Sequence, residues 1–152
     1  MTAEEYFEIA RDTVRRIERH PYMVQAMLSR ETCKAQSYDS IGHGSGSTDA
    51  RVLTDSRMDM EERFRRERAD MLAVVEDARA VCRGVRAANP HHSLWGDALE
   101  LYYIEDMTID TLACALYISR SKAYIELQRA LEWVDSVGIA RAKDGMGQAA
   151  LF

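Results

Sequence analysis

The sequence predicts an all-α protein, on three observations. Apolar residues recur at steps of three and four along most of the 152 residues, the period of a helix with one buried face. Only 2 prolines interrupt that pattern, and one short stretch holds the densest group of glycines, Gly42, Gly44 and Gly46. Between Asp97 and Val137, Thr108 and Ser119 each stand just ahead of an apolar-periodic run, where a helix N-cap belongs. The expected layout is an N-terminal helical pair and a long, coiled-coil-like helix over residues 1–90, a compact bundle over 91–138, and a flexible tail over 139–152.

Thr2 and Glu5 form a capping box at the start of the first helix, and Tyr6, Ile9, Ala10, Val14 and Ile17 form its apolar stripe. Arg11, Arg15, Arg16 and Arg19 crowd its later turns, suiting the negative end of the helix dipole. They are expected to lie on a solvated face paired with Glu4, Glu8, Asp12 and Glu18, with contact to nucleic-acid phosphates as the alternative. His20-Pro21 closes this helix or opens the next, since proline is comfortable only in a first turn. Tyr22, Val24, Met27 and Leu28 then mark a second helix fading toward Gln36, the two forming an antiparallel pair.

Residues 37–50 are a glycine- and serine-rich loop. No strand precedes it and no Lys-Ser/Thr follows, so it is not a nucleotide cradle, and His43 reads as an ordinary loop histidine. From Thr48 to Ala88 the chain reads as one long helix, with a kink or restart at Asp55-Ser56. Phe64, Met71, Val75, Ala78, Cys82 and Val85 make a seam along it at steps of seven, four, three, four and three. Two short helices offer limited area to cover that seam, so Phe64, Met71, Val75, Ala78 and Cys82 are expected to bring two chains together as a homodimer. Arg63, Arg65, Arg66 and Arg68, interleaved with Glu61, Glu62 and Glu67, read as an ion-paired exposed face.

Asn89-Pro90 ends the long helix, because a residue before proline is pushed out of the helical region. His91-His92 has no companion at metal-ligand spacing, and Trp95 suits core packing between the halves. Leu99, Tyr103 and Met107 share one face of a helix over 97–105. Thr108 caps a short second helix with Ile109, Leu112, Ala113 and Leu116 inward. Tyr117-Ile118 makes a tight connection, and Ser119 caps a third helix burying Ala123, Leu127, Ala130, Leu131 and Val134. Arg120, Ser121, Lys122, Ile125 and Glu126 remain facing out near its start, the positions that a recognition helix uses, and Arg129 follows. Gly138 is placed for the C-cap.

The run LELYYIEDMTIDTLACALYISRSKAYIELQRALEWV resembles region four of bacterial sigma factors, a helix-turn-helix, with YIE, the Thr-led second helix, ISRS and RAL in register. With a long helical front half and a Gly/Ser break, the whole chain resembles phage late-gene transcription activators of the RinA and ArpU type. The motif covers about a quarter of the chain, and the front half is similar in layout alone. Tyr117 stands where that pattern has glycine, and Ile125 and Glu126 where it often has a basic residue. A ring at Tyr117 is expected to pack between the second and the long helix and so to outweigh any backbone strain.

The resemblance implies a sequence-specific DNA-binding transcription regulator whose third helix, over residues 119–137, enters the major groove of double-stranded DNA. Arg120 and Lys122 are candidates for guanine or phosphate, Ser119 and Ser121 for hydroxyl contacts, Ile125 for a thymine methyl, Glu126 for cytosine and Arg129 for the backbone. RNA polymerase is a further candidate partner. No cofactor or metal is expected, and no catalytic constellation is evident. Without a membrane-length apolar run or signal-peptide pattern, the expected location is the cytoplasm of a bacterial host. Cys33, Cys82 and Cys114 read as buried free thiols. A net charge of −5 argues against indiscriminate nucleic-acid binding, and residues 91–152 hold five lysines and arginines against nine acids. That acidity favours an alternative, a protein-docking adaptor for RNA polymerase or a sigma factor, or a DNA-packaging subunit like a small terminase.

Overall fold

The computed structural model describes residues 1–39 and 46–147, with side chains described at 1–33 and 51–147. Every regular element among the described residues is helical. In order they are α1 (Ala3–Asp39), α2 (Gly46–Ala88), α3 (Leu94–Leu99), which runs on into a π-helical turn (Glu100–Ile104), α4 (Ile109–Ala115), α5 (Arg120–Val137) and α6 (Ile139–Lys143). None is long and apolar enough to cross a membrane. Residues 40–45, which include Gly42, His43 and Gly44, lie outside the described residues, as does the tail after Gly147.

The expected helix break at His20-Pro21 is absent. α1 continues through Pro21 as one helix of 37 residues. Proline removes one N–H from the ladder, which costs about 3 kcal/mol in an isolated helix. Tertiary contacts around Pro21 oppose that cost. His20 is buried and stacks on Phe64 with ring centroids 3.6 Å apart and planes 3° from parallel.

Two compact units divide the chain, Met1–Arg15 with Leu72–Phe152, and Arg16–Met71. In the second unit α1 and α2 run antiparallel. Arg16 meets Glu67 at 2.6 Å, His20 meets Phe64, and Glu31 receives Arg57 at 2.9 Å, so steps forward on one helix match steps back on the other. Arg65 and Arg66 both pair with Glu62, as the charge pattern predicts, whereas Glu61 pairs with Arg57 and Glu67 with Arg16 rather than with the neighbouring arginines. Burial and the positive charges of Arg16, Arg68 and Arg63 hold the His20 pKa below its ordinary value, with Glu67 acting in the opposite sense.

The first unit begins as the sequence predicts: the Thr2 N–H donates to Glu5 at 2.8 Å, and the Glu5 N–H donates back to the Thr2 hydroxyl at 3.2 Å. Its inward face differs from the expected stripe. Ala3, Phe7 and Ala10 are buried, whereas Ile9 is 54% exposed. Phe7 stacks on Tyr103 at 5.3 Å. The choice lay one residue away, and aromatic packing against the π-turn decided it.

All five residues expected at a dimer seam, Phe64, Met71, Val75, Ala78 and Cys82, are buried within the single chain. The seam is real, but its own chain covers it, so it does not require a second one. The tail also differs from expectation over residues 139–147. α6 brings Ala142 to full burial, Lys143 pairs with Asp77, and Asp77 accepts a 2.6 Å hydrogen bond from Tyr6. α6 lies so close to α2 that a Cβ on Gly84 would stand 1.9 Å from the Ala142 carbonyl oxygen.

Candidate functional site

The two helices after the π-turn are set by local signals and then locked by packing. The Thr108 hydroxyl accepts the Thr111 N–H at 3.3 Å, and the Ser119 hydroxyl accepts the Lys122 N–H at 3.2 Å, so both predicted caps are present. α4 ends in a Schellman turn. The Ile118 N–H returns to the Ala113 carbonyl at 3.0 Å and the Tyr117 N–H to the Cys114 carbonyl at 3.2 Å. This turn demands a left-handed residue, and Tyr117 supplies it with φ +56°. The expectation that its ring packs inward is wrong: Tyr117 is 96% exposed. The backbone geometry that closes the turn points the ring away from the core.

Ala123, Leu127, Ala130, Leu131 and Val134 of α5 are buried as their spacing predicts, and Trp133 joins them. Leu112 and Ala113 of α4 are buried as well. Opposite this core, Ser119, Arg120, Ser121, Lys122, Ile125 and Arg129 are all exposed. Glu126 is not free with them. It is half-buried and accepts a 2.8 Å hydrogen bond from the indole nitrogen of Trp95, itself stacked on His92. A carboxylate about two turns into α5 thus orients the helix rather than standing open to a ligand. Tyr124, which lies outside the apolar stripe of α5, is 55% exposed beside Ile125 at 47%. Arg120 approaches Asp110 at 3.4 Å, but both are more than two-thirds exposed, so the pair holds neither strongly.

The entry to α4 is held from α1. The π-turn ends with the Glu105 N–H on the Glu100 carbonyl and the Met107 N–H on the Leu101 carbonyl, both at 3.0 Å. Asp106 follows with φ +50°. Its carboxylate takes Arg15 through two 2.9 Å hydrogen bonds and Arg11 through one of 2.5 Å. Arg11 also donates to the Met107 carbonyl at 3.3 Å and lies over the Tyr102 ring at 4.2 Å. These two arginines belong to a tertiary node, not to the solvated strip expected of them. Asp106 is held below the usual carboxylate range, foremost by the Arg15 hydrogen bond and also by Arg11, against the opposing effect of burial.

Nearby, a groove of about 500 Å³ is lined by Arg86, Asp97, Glu100, Leu101, Glu105 and Met107. Arg86 pairs with Asp97 at 2.6 Å and also with Glu100. Among the described residues no group of three His, Cys, Asp or Glu side chains is placed to hold a metal ion. The Cys82 thiol is pushed up to about 12, mainly by burial and then by the Glu100 charge. Contrary to expectation, Cys33 and Cys114 are exposed. The exposed face of α5 and its cap thus carries three cations, Arg120, Lys122 and Arg129, the hydroxyl groups of Ser119 and Ser121, and an apolar patch at Tyr124 and Ile125.

No protein-family model matches the sequence, and no curated protein or solved structure matches the chain.

Proposed function

We propose that this protein is a sequence-specific DNA-binding regulator of transcription, with α4, the Tyr117 turn and α5 acting as a helix-turn-helix of the sigma region-four kind. The observation that supports this most is the outward face of α5. Arg120, Ser121, Lys122 and Ile125 are free of the core at the end of the helix that enters a major groove in such motifs. Arg120 and Lys122 donate to guanine edges or phosphates, Ser119 and Ser121 to phosphate oxygens, and Ile125 meets a thymine methyl. Arg129 serves the backbone. Glu126, bound to Trp95, acts by fixing the angle of the helix. The function as an activator of phage late genes follows from the sequence resemblance alone.

The double variant Arg120→Ala with Lys122→Ala tests the reading. Both side chains are exposed, so the unfolding midpoint should stay near that of the parent. A good bidentate base contact is worth about 1–3 kcal/mol, so affinity for a duplex selected by the parent from a random pool should fall by orders of magnitude. Equal affinity of parent and variant removes α5 as the reading helix.

A second reading, a docking module for RNA polymerase or a sigma factor, draws on the excess of acid over residues 91–152 and on Asp110 beside Arg120. A salt series separates the two. DNA recognition loses affinity steeply as salt rises, whereas an adaptor gives no specific DNA complex at any salt.

A further inference from the structure

We propose that the helix pair of residues Arg16–Met71 docks on a second copy of this chain, through the face that carries Ile17, Pro21, Val24 and Leu28. These residues follow steps of four, three and four, the spacing of a helix–helix seam. The intrachain contacts of α1 run along another line, where His20 stacks on Phe64 and Glu31 pairs with Arg57. At 3.6 residues per turn, Ile17, Pro21 and Leu28 stand roughly 60–100° around the helix from His20. α2 leaves that side open. Leu28 is 41% exposed, and Met58 on α2 is 57% exposed. Among the described side chains of this unit only His20, Phe64 and Met71 are buried. Two helices have too little facing surface to enclose a core, whereas two such pairs make a four-helix bundle.

The face also has a recess for a partner. Between the helices lies a groove of about 430 Å³, with Pro21, Val24 and Phe64 as its apolar part and Glu61, Arg65 and Arg68 as its charged part. The charges select a second copy as occupant. Glu61 and Arg65 stand one helical turn apart on α2. A two-fold axis passing between them sets each Glu61 against the partner's Arg65, and the reverse, which is the reciprocity that an isologous interface requires. Glu61 already takes Arg57 on Oε1 at 2.5 Å and brings its other carboxylate oxygen to the exchange, and Arg65 is available for it. Its bond to Glu62 is a surface pair, with the two side chains 74% and 46% exposed, and such pairs contribute little.

This surface meets the buried seam of α2 only at Phe64, and the association needs no DNA, so it stands or falls apart from the regulator reading. Sedimentation of the full chain at micromolar concentration is the test. The parent should sediment at twice its 17.3 kDa mass. Leu28→Glu places a charge on an exposed position of the face, so it should sediment at 17.3 kDa while keeping its far-ultraviolet helical signal. Arg65→Glu sets like charges opposite each other and should weaken the dimer by about tenfold or more. Adding Glu61→Lys to Arg65→Glu recreates complementary pairs and should restore it, and unfolding midpoints that stay level across the three proteins separate the interface from an effect within the helix, where the two positions also face each other. A parent that sediments at 17.3 kDa overturns the proposal, as does a dimer that neither Leu28→Glu nor Arg65→Glu weakens.

Discussion

Arg15 grips both carboxylate oxygens of Asp106, Nε on Oδ2 and Nη2 on Oδ1, each at 2.9 Å, across 91 positions of sequence. Arg11 adds a third bond to the same group, so the residue that ends the π-turn and leads into α4 is held from α1. Asp106→Asn keeps the shape and removes the charge, and should cost about 1–3 kcal/mol at neutral pH. The pH dependence has a defined sign. The folded pKa of Asp106 is depressed, so its contribution is complete above the ordinary carboxylate range near 4 and is lost as pH falls through the folded value. Unfolding midpoints measured downward from pH 6 should fall less steeply below pH 4 in Asp106→Asn than in the parent. Parallel acid limbs would mean that the arginines do not stabilise this carboxylate.

Tyr117 combines φ +56° with a fully solvated ring, so nothing in its packing offsets the left-handed backbone. A side chain costs roughly 1–2 kcal/mol in that region, and glycine returns part of the gain through its freedom in the unfolded chain. Tyr117→Gly should therefore raise stability by up to about 1 kcal/mol, which in a domain of this size moves the midpoint by about 2–4 °C. Differential scanning calorimetry checks it. A lower midpoint would show that the ring has a stabilising contact.

Gly84 allows α6 to lie against α2, since a Cβ there meets the Ala142 carbonyl at 1.9 Å and the Lys143 carbonyl at 2.7 Å. Both obstacles are backbone, so the helix has to move as a unit. Gly84→Ala should cost about 1–3 kcal/mol through overpacking. It should also speed tryptic cleavage at Arg141 and Lys143, the basic residues of α6. Unchanged cleavage and stability would mean that α6 docks less closely than this geometry requires.

The three thiols should divide by exposure. Cys33 and Cys114 are exposed, while Cys82 is fully buried and its thiolate is disfavoured, with a pKa of about 12. A thiol reagent at pH 8 should modify two cysteines promptly and the third only upon unfolding, with mass spectrometry assigning Cys82 to the slow class. Rapid labelling of Cys82 in the native protein would exclude a packed core around it.

The caps and buried stripes of the last two helices were legible because each depends on neighbours within a turn or two. Thr108 and Ser119 bond to N–H groups three residues on, and Ala123, Leu127, Ala130 and Val134 follow one helical period. The Thr2–Glu5 box and the end of α2 before Asn89-Pro90 belong to the same class. Helical class and the boundaries set by Thr2, Asn89-Pro90, Thr108 and Ser119 were therefore determined by the sequence itself.

Tertiary structure decided whatever depends on a distant partner. Pro21 stays inside α1, where the adjoining His20 stacks on Phe64; local propensity alone points to a break. Phe7 rather than Ile9 turns inward because Tyr103 lies there to meet it. Arg11, Arg15 and Glu126 look like surface charges in a one-dimensional pattern, yet Asp106 and Trp95 claim them from far along the chain. The seam through Phe64 and Cys82 was visible as a period, but a period carries no information about which surface covers it. Helical periodicity records which face of a helix is buried, and only the packed chain determines what it is buried against.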